Sequence, residues 1–274
     1  MEQSTRWNST AGNAWVDMQG LLDGMFRPFE ELLVEVVTQA GVSRVLDIGC
    51  GTGSTTLAMA RALGADGHCT GVDISEPMID LAHARAIAEG SAARFICTDA
   101  QTYDFEPASA DIIVSRFGVM FFDDPAAAFA NLRRAAKPGT ALKLIVWRSA
   151  ADNPFMTTAE HAAAPLLPGI PAREPNGPGQ FAFADPARVD SILLASGWAD
   201  LDLQPLDIAC TLLETELERY FTRLGLIAPV LREADDATRR RVISTVRAAF
   251  EPYVDGTKVR FTAACWMVSA RAAD

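Results

Sequence analysis

A glycine-rich segment, Asp47-Ile48-Gly49-Cys50-Gly51-Thr52-Gly53, has the clearest chemical meaning in the sequence. Glycines at alternate positions let a ligand approach the main chain closely and permit turns that side chains would obstruct. Dinucleotide, phosphate and nucleoside sites all use loops of this kind. Ser54 stands where a dinucleotide fingerprint has its third glycine, and no lysine follows Gly53 as it does in a Walker loop. The spacing therefore fits neither phosphate-binding pattern well.

Three aspartates stand at the ends of successive apolar runs. Asp47 precedes the glycines, Asp73 ends the second run, and Asp99, followed by Ala100, comes after the third. A carboxylate at Asp73 can accept both hydroxyls of a ribose, and one at Asp99 can accept a hydrogen from an adenine amino group. Asp47 would repel a pyrophosphate and favour an ammonium group. One aspartate at a strand end is usually a turn or cap residue, but three beside a glycine loop predict a phosphate-free ligand with an amine, a ribose and an adenine.

The elements that position these residues alternate regularly between Val45 and Trp147. Short apolar runs of strand length are separated by helical patterns, which is typical of strands covered on both faces. The predicted strands cover residues 45–48, 68–73, 93–97, 111–114 and 141–147, and the predicted helices 55–63, 77–88 and 125–136. Asp124 and Pro125 predict the start of the last helix, and Lys137-Pro138-Gly139 predict a turn after it. This alternation predicts an α/β protein with a doubly wound, mostly parallel sheet.

The regions before Val45 and after Trp147 lack this regular alternation of strands and helices. A helix is predicted over 21–40, and Trp7 and Trp15 before it can either close over a ligand or only anchor the terminus. Six of the fifteen prolines lie between Pro165 and Pro186, which predicts an ordered loop or lid. Pro205 indicates a bulge or an edge position in a strand near 201–212. The later predictions are a helix over 186–195, helical pieces within 214–250 and a last strand over 258–270. We expect an N-terminal helical cap (1–44), a core (45–147), a lid insertion with a helix (148–200) and a terminal strand pair with a helical insertion at about 214–253 (201–274).

Composition excludes several classes of protein. The chain has 24 Lys and Arg against 35 Asp and Glu, for a net charge of −11, and this balance disfavours nucleic acids and anionic membranes. No apolar run is long enough for a membrane span, and the polar first ten residues do not resemble a secretory signal. The five cysteines are odd in number and form no CxxC pair, which predicts reduced core thiols and no metal site. We therefore expect a cytoplasmic protein with no nucleic-acid partner.

Residues 45–147 resemble a class I S-adenosylmethionine-dependent methyltransferase of the ubiquinone/menaquinone-biosynthesis type and its small-molecule relatives. Residues 45–53 match the first family motif without a gap. Gly71-Val72-Asp73-Ile74-Ser75 with Met78 resembles the second motif, and Cys97-Thr98-Asp99-Ala100 resembles the third. Residues 111–117 and 132–147 resemble the fourth and fifth motifs, with Pro138-Gly139-Thr140 in place of the usual Pro-Gly-Gly turn.

This resemblance implies a seven-stranded Rossmann-like methyltransferase fold with helical and loop cap insertions. It implies S-adenosylmethionine as cofactor and S-adenosylhomocysteine as product. In the family the second-motif acid holds the ribose, its apolar neighbours flank the adenine, and the fourth motif contacts the methionine end. The implied cofactor-binding residues are Asp47, Gly49, Cys50, Gly51, Gly53, Asp73, Ile74, Met78, Asp99, Ala100 and Ser115.

The acceptor side is expected after the fourth and fifth strands. The amino-methyltransferase signature Asp/Asn-Pro-Pro-Tyr/Phe is absent there, which argues against methylation of adenine bases or glutamine. Arg116 can orient an acidic substrate or form a salt bridge within the fold. The other pocket candidates are apolar, and ordinary core packing is the favoured interpretation of any one of them: Phe117, Met120, Trp147 and Phe155. His161 is the candidate general base, which the reaction needs only if the acceptor still carries its proton.

Methyl transfer from a sulfonium is an in-line displacement that proximity, alignment and water exclusion can drive. A visible catalytic constellation is therefore not required. The sequence favours transfer of a methyl group to a small-molecule acceptor through O, N, C or S. An NAD-dependent oxidoreductase on a similar sheet and a non-catalytic module that binds S-adenosylmethionine are the alternatives.

Overall fold

The computed structural model describes residues 3–173 and 177–273. A mixed β-sheet crosses the protein and is flanked by helices. In chain order, the strands are β1 (Arg44–Ile48), β2 (His68–Asp73), β3 (Arg94–Cys97), β4 (Ala110–Arg116), β5 (Ala136–Trp147), β6 (Trp198–Leu213), β7 (Val254–Asp255) and β8 (Lys258–Ala272). The helices are α1 (Gln3–Trp7), α2 (Thr10–Asp17), α3 (Gln19–Gln39), α4 (Ser54–Leu63), α5 (Glu76–Glu89), α6 (Pro125–Ala135), α7 (Pro154–Ala163), α8 (Pro186–Ala195), α9 (Leu217–Arg223), α10 (Ile227–Glu233) and α11 (Asp236–Ala249).

The strand order is β3-β2-β1-β4-β5-β8-β6, and the first five strands in this order are parallel. β8 lies antiparallel between β5 and β6, and the short strand β7 pairs with β8 beside this path. Val45 of β1 pairs with Cys69 of β2 on one side and with Ile112 of β4 on the other. The order reverses between β1 and β4, and ligands of such sheets bind outside the carboxyl ends of the strands at that point. The predicted doubly wound, mostly parallel sheet is confirmed.

Apolar residues explain why these segments form the centre of the sheet. Ile113, Val114, Leu142 and Leu144 of the neighbouring strands β4 and β5 are fully buried. Strands covered on both faces need such continuous apolar runs, because neither face meets water. The rigid sheet core holds the loops at the carboxyl ends of β1, β2 and β4 close to one another.

The predicted start of α6 has the expected cap. The Asp124 carboxylate accepts a hydrogen bond from the Ala127 N–H at 3.0 Å, and Pro125 occupies the first turn. Proline suits this position because the first-turn N–H groups have no partner within the helix. Capping chemistry therefore located this boundary from the sequence.

The predicted end of α6 lies within one residue of the observed end, because α6 ends at Ala135 and β5 begins at Ala136. Gly139 has a φ of +74°, and the pairing of β5 with β4 is irregular between Ala136 and Ala141, so the predicted change of direction at Lys137-Pro138-Gly139 lies within the first residues of β5. The helix α7 precedes the proline-rich stretch that begins at Pro165. Residues 174–176 of the predicted lid lie outside the described residues.

The predictions for Pro205 and Cys97 can be compared with the structure. Pro205 lies in the edge strand β6, but the irregular pairing of that strand falls between Ala199 and Asp202. Cys97 is exposed and not a core thiol, because it ends the opposite edge strand, β3. Within residues 3–173 and 177–273, no helix combines the length and the apolarity needed to cross a bilayer.

Candidate functional site

The loop between β1 and α4 depends on its glycines. Gly49, Gly51 and Gly53 have φ values of +67°, +54° and +83°, in the left-handed region that favours glycine. A Cβ on Gly49 would lie 2.5 Å from the Cα of Gly118, so the loops after β1 and β4 pack main chain against main chain. A Cβ on Gly51 would meet only the Met78 sulfur, at 3.8 Å. The glycine loop is therefore tightly packed at one end and open above Gly51, where a ligand could approach the main chain.

Asp73, at the end of β2, joins two loops through its carboxylate. Oδ2 accepts a hydrogen bond from the Gly51 N–H at 2.8 Å, and Oδ1 accepts one from the Ser75 N–H at 2.9 Å. Burial raises the pKa of Asp73, and these main-chain hydrogen bonds oppose the rise. An ionised carboxylate has about four acceptor positions. Each oxygen therefore retains capacity for a ligand hydroxyl.

Asp47, at the end of β1, is almost fully enclosed, with 1% of its surface exposed. Its Oδ2 accepts a hydrogen bond of 2.6 Å from the Thr56 hydroxyl on α4. Burial raises the pKa of Asp47 to about 6, while the Thr56 hydrogen bond and the Arg116 charge act in the opposite direction. Sequence reasoning missed Thr56, which lies outside the glycine motif. Asp47 supplies a buried negative charge next to the glycine loop.

Two polar contacts hold the helix α3 next to the glycine loop. Glu30 accepts a hydrogen bond from the Ser54 hydroxyl at the start of α4. Asp23 forms an ion pair with Arg85 of α5 at 2.8 Å, and Arg85 also donates to the Thr52 carbonyl oxygen at 2.7 Å. Asp23 and Glu30 are seven residues apart, a spacing that places both on one helix face. That spacing was the only sequence signal for these contacts.

Arg116, the candidate for orienting an acidic substrate, lies under α3 and contacts Phe26 of that helix. Its Nη1 donates to the Phe26 carbonyl oxygen at 3.3 Å, and its guanidinium carbon is 5.9 Å from the centre of the Phe26 ring. Burial lowers the pKa of Arg116, while the charges of Asp23, Glu30 and Asp47 raise it. The alternative of a salt bridge within the fold is not formed, because among the described residues no carboxylate oxygen lies within 4 Å of its guanidinium group.

Three of the four apolar pocket candidates come together at the ends of β4 and β5. The Phe117 ring stacks on the Trp147 ring with centroids 4.5 Å apart. The main-chain N–H of Trp147 donates to the Met120 sulfur at 3.4 Å. Phe117 has a φ of +67°, uncommon for a bulky residue. Phe155 instead stacks on Phe261 at 3.8 Å in a separate aromatic cluster. Phe155 is therefore apart from the other three candidates and packs in the core, where that face of α7 meets β8, as the alternative interpretation had it.

The other predicted cofactor residues lie in or near the loops after β1, β2 and β3. Asp99 accepts hydrogen bonds from the Gln101 N–H at 2.9 Å and from the Gln101 side chain, and Gln101 is a neighbour that sequence reasoning missed. The Cys50 N–H donates to the Val72 carbonyl oxygen at 3.1 Å. Met78 and Ala100 are buried close to the ends of β2 and β3.

Ser115 is tied to the fold and does not present its hydroxyl to a ligand. Its Oγ donates to the Ile48 carbonyl oxygen at 2.7 Å and accepts from the Gly118 N–H at 3.3 Å. The prediction that Ser115 belongs to the cofactor site therefore concerns its main chain, as the resemblance to the fourth motif implied. Ser115 positions Gly118 against Gly49, because the hydroxyl joins the ends of β1 and β4.

The N-terminal helices reach across the same edge of the sheet. The Asn8 side chain donates to the Ile74 carbonyl oxygen at 3.0 Å and accepts from the Glu76 N–H at 2.7 Å. The Ser75 hydroxyl donates to the Trp7 carbonyl oxygen at 2.7 Å, and the Trp7 ring lies 5.1 Å from that of Phe121 after β4. Residues 7 and 8 therefore bridge the loops after β2 and β4.

His161 lies apart from the glycine loop, on an exposed face of α7. It lines a cavity of about 590 Å³ together with Glu160, Arg173 and several apolar residues. Ala150 and Ala151, which follow β5, also line this cavity. The cavity is therefore next to the carboxyl end of β5, on the side of the sheet edge where the acceptor was expected.

Comparison with known proteins agrees with this geometry. Residues 45–139 match the model of a family described as a methyltransferase domain. Two solved structures have a similar fold: YcgJ from Bacillus subtilis, at 20% identity and a TM-score of 0.55 over 87% of this chain and 97% of that one, and a methyltransferase-like protein from Bacillus halodurans, at 15% identity and 0.55 over 88% and 99%. These findings support a class I S-adenosylmethionine-dependent methyltransferase domain over residues 45–139, and the two solved structures show that the chain has a Rossmann-like fold.

Two curated proteins match part of the chain, and both are methyltransferases by name. The chain is 32% identical over 116 residues to the ubiquinone/menaquinone biosynthesis C-methyltransferase UbiE of Burkholderia vietnamiensis, covering 42% of this chain and 48% of that protein. It is 31% identical over 134 residues to phosphoethanolamine N-methyltransferase 1 of Triticum aestivum, covering 49% of this chain and 25% of that protein. The chain thus spans less than half the length of these curated relatives.

Proposed function

We propose that this protein is an enzyme that transfers a methyl group from S-adenosylmethionine to a small-molecule acceptor. The observation that carries the proposal is the charge around the glycine loop. Four carboxylates, those of Asp23, Glu30, Asp47 and Asp73, meet only two guanidinium groups, those of Arg85 and Arg116. This excess of negative charge favours a ligand with a net positive charge and disfavours a pyrophosphate.

S-adenosylmethionine fits that requirement, because its sulfonium and ammonium groups outnumber its one carboxylate. Asp73 would accept hydrogen bonds from the ribose hydroxyls, since a carboxylate has about four acceptor positions and the Gly51 and Ser75 N–H groups each occupy one. Ile74 and Met78 would flank the adenine, with Asp99 and Ala100 beside it. The main chain at Gly49, Cys50, Gly51 and Gly53 would lie along the methionine part of the cofactor.

Arg116 would contribute to cofactor binding. Its guanidinium group lies among three carboxylates next to the loop, and it would bind the carboxylate of the methionine part. Asp47 would stabilise the ammonium group on the same part. An oppositely charged pair of this kind matches an amino-acid zwitterion, so the two residues would together orient the cofactor.

The bound cofactor would supply a methyl group activated by a positively charged sulfur. The protein's contribution to the reaction would be alignment and exclusion of water. Phe117 and Trp147 stack beside the loop, Phe26 packs on both edge to face, and Trp7 covers the adjacent edge of the sheet. His161 stays a candidate base for an acceptor that carries its proton, because it lines the cavity beyond β5.

The chain divides in this proposal as the sequence suggested. Residues 1–44 form a cap, 45–147 the cofactor-binding core, 148–200 the lid with a helix, and 201–274 the terminal strands with their helical insertion. A small-molecule acceptor would be the only partner required. A cytoplasmic location is inferred from the cysteine content, since the five thiols are free.

Calorimetric titration with S-adenosylmethionine, S-adenosylhomocysteine and NAD tests the cofactor. Both sulfur nucleosides should bind and NAD should not. Asp104→Asn is a matched control for Asp73→Asn, because Asp104 lies on the surface in an exposed ion pair with Arg134. Binding of NAD alone would refute the methyltransferase function and favour the oxidoreductase alternative.

A second measurement tests whether the methyl group is transferred to an acceptor. Protein incubated with methyl-labelled S-adenosylmethionine and a fractionated small-molecule extract should place label in a product other than S-adenosylhomocysteine. Cofactor binding without any labelled product would favour the non-catalytic alternative. The heat-denatured protein controls for spontaneous methylation.

A further inference from the structure

The contact between Thr56 and Asp47 joins the first turn of α4 to the end of β1. Thr56 is fully buried, and Asp47 has 1% of its surface exposed. The Thr56 hydroxyl donates to Asp47 Oδ2 at 2.6 Å, and this is the one hydrogen bond that the carboxylate accepts within residues 3–173 and 177–273. Thr56 therefore holds one oxygen of Asp47 and leaves the other, Oδ1, as an acceptor for a ligand.

A glycine opposite Asp47 makes room for this contact. Gly71 of β2 pairs with Asp47 of β1 in the parallel register. A Cβ at Gly71 would lie 2.8 Å from the Thr56 hydroxyl oxygen and 2.8 Å from the Cys50 sulfur, so a larger residue would displace one or both. Thr56 is β-branched and lies in a helix, where few other rotamers are open to it. The hydroxyl thus occupies space that β2 leaves free at Gly71.

The charges around Asp47 do not make this hydrogen bond redundant. The groups that act on Asp47 or respond to its charge are Arg116 of β4, Asp73 and Cys69 of β2, and Cys50 of the glycine loop. Burial raises the pKa of both thiols, so they stay uncharged. The charges of Asp23 and Glu30 on α3 act on Arg116.

Thr56 opposes the effect of burial on Asp47 more strongly than Arg116 does. Burial raises the pKa of Asp47 to about 6, the Thr56 hydrogen bond lowers it, and the Arg116 charge lowers it less. Asp73 acts in the same direction as burial. Without the hydroxyl, Asp47 would have no donor to stabilise its charge, and a buried carboxylate in that state takes up a proton more readily.

We propose that Thr56 is a positioning residue for the cofactor, whose hydroxyl holds the Asp47 carboxylate in place so that Oδ1 binds the ammonium group of the amino-acid part. This inference rests on the proposed methyltransferase function and deepens it, since it concerns the same cofactor site. Thr56 would act on the amino-acid end alone, because the ribose and the adenine are assigned to Asp73 and Asp99.

Two ligands that differ in the amino-acid part separate this role from a general role in packing. S-adenosylhomocysteine has the ammonium group, and methylthioadenosine has the same adenine, ribose and sulfur without it. In calorimetric titrations at neutral pH, Thr56→Val should weaken binding of S-adenosylhomocysteine roughly ten-fold or more, as expected when a hydrogen bond to a charged group is lost. Affinity for methylthioadenosine should stay unchanged. Thr56→Ser keeps the hydroxyl and should restore most of the affinity for S-adenosylhomocysteine.

The pH dependence of binding gives a second readout. The affinity of the wild type for S-adenosylhomocysteine should fall as the pH is lowered through about 6, because protonation of Asp47 removes the charge that binds the ammonium group. In Thr56→Val, the pKa of Asp47 rises further, so the same fall should begin at a higher pH. Methylthioadenosine controls for Asp73, since titration of that residue would affect both ligands through the ribose.

Thr140→Val is the matched control. Thr140 is also buried, at 3% exposure, and its hydroxyl donates at 2.9 Å to the carbonyl oxygen of Ala110, the first residue of β4 and so far from the glycine loop. This variant should bind both ligands as the wild type does. Circular dichroism verifies folding, and Thr56→Ala, a substitution that suits a helix, gives the same test where Thr56→Val does not fold.

Each outcome has a definite meaning. An equal loss of affinity for the two ligands would show that Thr56 only supports the path of the loop, and it would overturn the inference. Unchanged affinity for S-adenosylhomocysteine, or the same pH dependence in the variant and the wild type, also overturns it. All of these leave the cofactor assignment standing. Failure of the wild-type protein to bind either ligand refutes the proposed function instead, and the inference falls with it.

Discussion

Substitution of Gly49 by alanine tests the main-chain contact that closes the base of the candidate site. The left-handed φ of +67° costs an alanine about 1–2 kcal/mol relative to glycine. The added Cβ would also lie 2.5 Å from the Cα of Gly118, whereas carbon atoms normally approach only to about 3.5 Å. The loops after β1 and β4 must then separate, and overpacking of this kind costs about 1–3 kcal/mol.

Gly41 provides a matched control for this substitution. Its φ of +64° is nearly the same, but a Cβ there would have no atom within 4 Å. Gly41→Ala should therefore lose only the conformational part, about 1–2 kcal/mol of the free energy of unfolding. The difference between the two variants isolates the contact with Gly118 and should be about 1–3 kcal/mol.

Urea denaturation of the two variants and the wild type measures these losses. A parallel titration with S-adenosylhomocysteine should show weaker binding for Gly49→Ala and unchanged binding for Gly41→Ala, because only Gly49 belongs to the loop. Equal losses of stability in the two variants would contradict the close approach of Gly49 and Gly118 and, with it, the described path of the loop.

Three further predictions concern side chains of the site. Asp73→Asn should weaken binding of S-adenosylhomocysteine by about 1–3 kcal/mol, measured by calorimetry, while Asp104→Asn should have no effect. The pKa of Asp47 is raised by burial to about 6, above its unfolded value, so the unfolded chain binds fewer protons and stability should fall as pH rises from about 4 to 6. Asp47→Asn should remove that decline in denaturation curves, and a decline of the same size in the variant would exclude Asp47 as its source. Asn8→Ala should speed proteolysis of the N-terminal helices by removing two hydrogen bonds to the loop after β2, whereas Asn13→Ala, which loses one exposed bond, should not.

Local spacing predicted the part of the site that is formed by consecutive residues. The glycines, Asp47 and Asp73 were predicted because a strand followed by a glycine loop fixes their positions regardless of the rest of the chain. Capping chemistry likewise located the start of α6 at Pro125. Within such a motif, the main chain alone determines where the functional atoms lie.

Contacts between distant elements were not predictable in the same way. Ser115 and Arg116 are the last two residues of β4, but their side chains contact Ile48 and Phe26, and α3 carries no motif that could have shown this. The contact of Asn8 with the loop after β2 joins residues 66 positions apart. A single sequence contains no signal for such a pair, since each partner is ordinary in its own surroundings.

The position of β8 between β5 and β6 has a consequence for how the chain acquires its fold. In the part of the chain that the structure describes, β6 pairs only with β8, and β8 also covers the outer edge of β5. Although β5 and β6 are synthesised first, neither edge can be paired before residues 258–272 leave the ribosome. The nascent chain therefore exposes two open strand edges, which are sites of misassembly, until late in its synthesis. Truncation before Lys258 would make that vulnerable state permanent.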